Sequence, residues 1–239
     1  MQPPLNLAQR LRGGLIVSCQ AYPGEPLRTP ATMARMAEAV VTGGACAVRV
    51  QGVDDIAATA QRVSVPIIGL WKDGDEGVYI TPSVDHALAC AEAGAHIVAV
   101  DATLRARPDG SAFADVVAPL HQRGVLVMAD CDSLEAARAA HDAGADVLGT
   151  TLAGYTTARD ATAGPDLALV REIRQALPQA LVIAEGRIHA PDQASAARRA
   201  GADAVVVGTA ITHPSTVTSW FVAALEHPTP GDGAPAWKS

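Results

Sequence analysis

The stretch "AGADAVVVG" at residues 200–208 decides the fold, because its plan returns along the chain. "GGACAVRV" (43–50), "AGAHIVAVD" (93–101) and "AGADVLGTT" (143–151) each close a helix on Ala-Gly or Gly-Gly, turn briefly, and open an apolar strand. Glycine suits that junction because helices commonly end on a left-handed residue, which glycine adopts without a Cβ clash. Four more apolar runs lie between these units: "GLIVSCQ" (14–20), "VPIIGLWK" (65–72), "VLVMADC" (125–131) and "ALVIAEG" (180–186). The count is eight strands. Segments of helical character alternate with them, at 30–42, 53–62, 83–92, 111–123, 133–142, 166–176, 190–199 and 214–226. Helix starts are signalled by Pro82-Ser83 and by Asp132 with Glu135 three residues on. In the last helix Val217, Phe221 and Leu225 form one stripe expected to face the sheet.

Strict alternation of strand and helix means parallel strands joined by right-handed crossovers. Eight nearly even units without a dinucleotide fingerprint predict closure into a (β/α)8 TIM barrel, against the open doubly wound sheet. The barrel is expected to occupy residues 1–226 as a single domain. The segment 227–239, "HPTPGDGAPAWKS", is rich in Pro and Gly and reads as a flexible tail.

Composition narrows the function. Of 239 residues 49% are hydrophobic but only 3% aromatic, so the core must be built from Ala, Val, Leu and Ile, as suits strands buried on both faces. A net charge of −7 with no run of lysines or arginines argues against nucleic-acid or anionic-membrane partners. Cys19, Cys46, Cys90 and Cys131 show no CxxC spacing, which favours buried thiols in a reducing compartment. The N-terminus lacks a signal-peptide core and no apolar run reaches membrane length, so a cytoplasmic location is expected. The histidines are dispersed: His86, His121 and His141 fall on predicted outer helices and His96 precedes a strand. None makes a metal-ligand spacing, and no metal is expected.

In such a barrel, function sits where the strands end. Those ends carry Gln20, Arg49, Lys72, Asp101, Asp130, Thr150 with Thr151, Glu185, and Gly208 with Thr209. One polar residue closing a strand is usually solvated or capping; polar residues at nearly every strand end point to a site. Lys72 and Glu185 belong to the third and seventh strands, opposite one another in a ring of eight. They can approach the two faces of a flat ligand, which suits a carbon that loses a proton on one face and regains it on the other. At the last two strand ends Gly186, Gly208, Thr209 and Ala210 are small enough for backbone to approach a phosphate. Arg187 either neutralises that phosphate or caps its loop, and His189 and His213 lie near the same corner. The loop 72–83 offers Tyr79 and Thr81 as a cover for the mouth.

The segments "GGLIVSCQAYPGEPL", "MARMAEAVVTGGA", "VYITPS", "MAD", "GTTLAGYT", "VIAEGRI" and "GADAVVVGTAIT" resemble, in order, those of the bacterial N-acetylmannosamine-6-phosphate 2-epimerases. The resemblance covers residues 12–226. It implies a (β/α)8 barrel that interconverts N-acetylmannosamine 6-phosphate and N-acetylglucosamine 6-phosphate in amino-sugar catabolism, with no organic cofactor. It implies Lys72 and Glu185 as the acid/base residues, Gln20, Arg49 and Asp130 as substrate contacts, and Gly186 and Gly208 at the phosphate. From their places near the strand ends, Tyr79 and Thr151 are expected beside the substrate and Arg187, Thr209 and His213 beside the phosphate. Where the family generally has arginine after "AIT", this chain has His213.

The chemistry expected is deprotonation and reprotonation at C2, by two residues or by one acting twice. The competing readings are a Schiff-base lyase acting through Lys72 and a non-catalytic sugar-phosphate-binding protein. A homodimer is compatible with all of these, and no residue pattern specifies an assembly.

Overall fold

The computed structural model describes residues 4–226. Its strands are β1 (Leu15–Cys19), β2 (Ala47–Gln51), β3 (Ile67–Leu70), β4 (Ile97–Asp101), β5 (Leu126–Asp130), β6 (Val147–Gly149), β7 (Leu181–Ala184) and β8 (Ala204–Val207). All are parallel and pair in chain order, and β1 closes on β8 with Ile16 opposite Val206. The helices of the repeat are α2 (Pro30–Thr42), α3 (Val53–Ala60), α4 (Val84–Glu92), α5 (Phe113–Gln122), α6 (Leu134–Asp142), α7 (Leu167–Ala176) and α8 (Pro191–Ala200). The (β/α)8 barrel expected from the repeat is the architecture found.

The repeated phrase acts in two ways. Gly44, Gly94, Gly144 and Gly201 all take positive φ, from 97° to 114°, turning each helix back toward its strand. The polar residue that follows then grips the preceding strand. His96 Nδ1 accepts the Ile67 N–H (3.2 Å), Asp146 Oδ2 the Val127 N–H (2.8 Å) and Asp203 Oδ2 the Val182 N–H (2.9 Å). Asp203 also pairs with Arg12 and Arg174. Asp203→Ala should leave that strand N–H without its partner, a loss of about 1–3 kcal/mol. Thermal melts should show Tm lower by several degrees, with the kinetic constants of the distant site unchanged.

Apolar side chains fill the barrel interior, among them Ile16, Ile68, Ile97, Met128, Leu181, Ile183 and Val206. Two further clusters lie between sheet and helices, one on the β1–β5 side and one on the β5–β8 side. Helix α1 (Pro4–Leu11) was not foreseen; its Leu11 enters the interior cluster and closes the N-terminal end of the barrel. A short α9 (Thr209–Thr212) also precedes α10 (Pro214–Glu226).

Two local expectations are corrected. Helix α6 is capped by Ser133, whose hydroxyl accepts the Ala136 N–H, while Asp132 instead receives hydroxyl hydrogen bonds from Ser133 and Thr156. The stripe on α10 does not face the sheet: Phe221 is 69% and Leu225 82% exposed, and no residue of that helix is buried. The segment 227–239 lies outside the described residues.

Candidate active site

The C-terminal mouth holds a cavity of about 190 Å³ whose wall includes Gln20, Arg49, Lys72, Tyr79, Thr151 and Glu185. Gly186, Arg187, His189, Gly208, Thr209 and His213 continue that wall at one corner. Lys72 and Glu185, from opposite sides of the ring, therefore face one space.

Backbone contacts position both. Lys72 lies two residues beyond β3, paired antiparallel with Ile80; the Asp73 N–H donates to Tyr79 O at 3.0 Å, so the loop folds back as a tight hairpin. Thr81, at φ +49°, ties this hairpin to the barrel: its hydroxyl accepts the Trp71 N–H and donates to Ala99 O. Glu185 follows β7. The Thr150 hydroxyl accepts its backbone N–H (3.1 Å) and donates to its carbonyl (3.0 Å), fixing the end of the strand from both sides.

Against Glu185 lies Arg49, inside β2 and only 1% exposed. Its guanidinium donates to both oxygens of Asp130, and Nη1 lies 3.1 Å from Glu185 Oε2. Its buried Nε has no partner among the described residues. The Thr151 hydroxyl lies 2.7 Å from Asp130 Oδ1 and 3.2 Å from Glu185 Oε2. Burial of Glu185, with the nearby Asp130 charge, pushes its carboxyl up to about 7 against the pull of Arg49, Thr151 and Lys72. Lys72 moves the other way: burial first, then the Arg49 charge, lower its ammonium below the usual range, partly offset by Glu185 and Asp130. Two groups whose ordinary values lie far apart are brought toward one another, as an acid/base pair near neutral pH requires.

Two expected contacts differ. Asp130 is fully buried and does not line the cavity, because Arg49 and Thr151 cover it; it acts on the site through them. Arg187 reaches the wall, but its guanidinium is engaged by the long loop between β6 and α7. Nε donates to Gly164 O, Nη1 to Ala153 O and Nη2 to the Thr162 hydroxyl. The loop-capping reading of Arg187 is the one this geometry matches. Asp101 is also occupied, by the Thr103 backbone and hydroxyl and by Arg105.

At the small-residue corner Gly186 has φ +106°, and a Cβ at Gly208 would stand 3.2 Å from that of Ser18. His213 is 4% exposed; its Nδ1 has no hydrogen bond among the described residues and lies 3.6 Å from Glu25 Oε1. Sequence reasoning missed Ser18, Tyr22 and Tyr155 on the wall. For the tyrosines a signal existed: each falls a few residues past a strand end in a chain with three tyrosines. Among the described residues no cluster of His, Cys, Asp or Glu could hold a metal ion, and no helix is long and apolar enough to cross a membrane.

A family model described as "Putative N-acetylmannosamine-6-phosphate epimerase" matches residues 33–227. A Cutibacterium acnes protein named "Putative N-acetylmannosamine-6-phosphate 2-epimerase" is 56% identical over 90% of this chain and 95% of its own length. A Corynebacterium glutamicum protein of the same name is 48% identical over 92% and 96%. The solved N-acetylmannosamine-6-phosphate 2-epimerase from Clostridium perfringens superposes with a TM-score of 0.87 at 38% identity, over 90% of this chain and 95% of that one. With the barrel, the strand-end residues and these likenesses in agreement, the chain belongs to the N-acetylmannosamine-6-phosphate 2-epimerase family.

Proposed function

We propose that this protein interconverts N-acetylmannosamine 6-phosphate and N-acetylglucosamine 6-phosphate by removing and returning the proton on C2. The observation that carries the reading is the pair Lys72 and Glu185 facing one cavity, each with its proton affinity displaced toward the working range.

In the open-chain sugar C2 adjoins the C1 aldehyde. Breaking the C2–H bond sends its electron pair through C1 onto O1 and gives an enolate, while the base keeps the proton. A proton delivered to the opposite face of C2 restores the aldehyde with inverted configuration and no net redox change. Lys72 and Glu185 exchange these roles with reaction direction. Arg49 holds the Glu185 carboxylate and supplies positive charge beside the developing oxyanion, an effect that can equal or exceed proton transfer itself. Gln20, Tyr79 and Thr151 orient the sugar. Backbone at Gly186, Gly208 and Thr209 receives the phosphate, with His213 beside it. NMR of N-acetylmannosamine 6-phosphate incubated with the protein tests the assignment: the N-acetylglucosamine 6-phosphate signals must grow in.

A depressed lysine would also suit imine formation. Borohydride reduction during turnover separates the two chemistries, since only a lyase leaves an adduct on Lys72. Cytoplasmic location is part of this proposal, supported by four free cysteines, three of them fully buried. So is a homodimer, supported by the exposed Trp220, Phe221, Val222 and Leu225 of α10. Sedimentation should give a dimer that Phe221→Asp converts to monomer; a monomeric parent chain would contradict the assembly.

A further inference from the structure

The tyrosines of this chain are Tyr22, Tyr79 and Tyr155, and all of them line the active-site cavity, although aromatic residues make up only 3% of the sequence. Tyr79 is half-buried, while Tyr22 and Tyr155 are 55% and 59% exposed. These two stand on different loops, after β1 and after β6. Both face the one cavity at the barrel mouth.

Both rings have a cation within reach and keep more than half of their surface exposed. Tyr22 has the Lys72 ammonium 5.8 Å from its centroid and the His213 ring tilted against it at 5.0 Å. Its backbone N–H donates to Glu25 Oε2 at 2.6 Å. Tyr155 has the Arg187 guanidinium 5.1 Å from its centroid, and that guanidinium is fixed by its three bonds into the same loop. The Tyr155 N–H donates to Leu152 O, continuing the turn that aims the ring at the mouth. Exposed aromatic rings held by cations above a polar cavity do no packing work for the barrel.

We propose that Tyr22 and Tyr155 are specificity-determining residues, the two jaws of an aromatic clamp on the C–H and acetamido-methyl surface of the sugar. The inference rests on the amino-sugar reading above and adds which part of the substrate these rings recognise. A ring face carries partial negative charge, so it attracts C–H groups and repels phosphate. The clamp therefore grips the sugar and leaves the anion to the glycine corner. Tyr155 contacts neither proton-transfer residue, whereas Tyr22 also carries the Lys72 ammonium over its ring.

Interactions equal in substrate and transition state appear in KM and leave kcat unchanged. Tyr155→Ala should raise KM by about 10-fold or more while kcat changes by less than about threefold, and Tyr22→Ala should raise KM to a similar extent. Phenylalanine at either position should restore KM, because the ring face acts and the hydroxyl does not. Competitive inhibition by inorganic phosphate, which has no C–H surface, should be the same in parent and Tyr155→Ala. An alanine variant with unaltered KM, a fall confined to kcat, or failure of phenylalanine to restore KM would overturn the clamp. A second readout does not depend on turnover. N-acetylmannosamine 6-phosphate should protect Tyr22 and Tyr155 from nitration by tetranitromethane, whereas inorganic phosphate should not; equal protection by both would overturn the proposal. A parent enzyme that binds and protects but never epimerises would sink the catalytic reading alone.

Discussion

Lys72→Ala is expected to reduce kcat for epimerisation in both directions by about 10³-fold or more, with substrate still bound. The expectation follows from position and charge state together. Lys72 is held by the Ile80 bridge, faces the same cavity as Glu185, and has its ammonium lowered by burial and by Arg49. A lysine so lowered gives up its proton more readily than an exposed one, and its neutral amine can take a proton from carbon. Positioned proton transfer contributes about 10²–10⁴-fold, and that whole contribution is lost with the amine. Lys72→Arg should not rescue, because guanidinium does not deprotonate in proteins. Initial rates followed by NMR, with equilibrium dialysis for binding, check both statements. Activity of Lys72→Ala within tenfold of the parent would remove the lysine from the mechanism.

Glu185→Gln is expected to lose about 10²–10⁴-fold in kcat and to gain stability at alkaline pH. Whichever residue begins as base, the competent pair holds one proton: neutral lysine with carboxylic acid, or ammonium with carboxylate. The profile of kcat/KM should thus be a bell. Its acid limb lies near 7, where Glu185 becomes protonated while Lys72 still carries its proton, and its alkaline limb lies below the ordinary lysine value. Glutamine removes the acid limb. The stability change has the same origin. The folded chain holds the Glu185 proton more tightly than the unfolded chain, so stability from that group is present at low pH and lost between about 4.5 and about 7. The loss is on the order of 3 kcal/mol. Glu185→Gln lacks it, so its Tm should match the parent near pH 5 and exceed it at pH 8. Equal Tm differences at both pH values would show that the carboxylate is not strained by burial.

The barrel was readable because its signals are local and repeated. The glycines at 44, 94, 144 and 201 mark each return to the sheet, and apolar runs such as "AVVV" have no face left for water. Lys72 and Glu185 were readable as polar residues after apolar strands on opposite sides of a ring. What could not be read were the pairings that topology alone creates. Arg49 and Asp130 look alike as strand-end charges, yet the fold places the carboxylate under the guanidinium and out of the cavity. Arg187 looks like a phosphate ligand until its three bonds to residues 153–164 are seen. The stripe on α10 has the right period for a buried face, and period alone does not say that the barrel lies beneath it.

The claim beneath all of this is that a carbon-bound proton leaves C2 and another arrives. Conversion of N-acetylmannosamine 6-phosphate in D2O, followed by NMR, measures it directly. The N-acetylglucosamine 6-phosphate formed should carry deuterium at C2, with signal lost from H2 as product accumulates. Product that forms at full rate and keeps its original C2 hydrogen entirely would contradict proton exchange through Lys72 and Glu185.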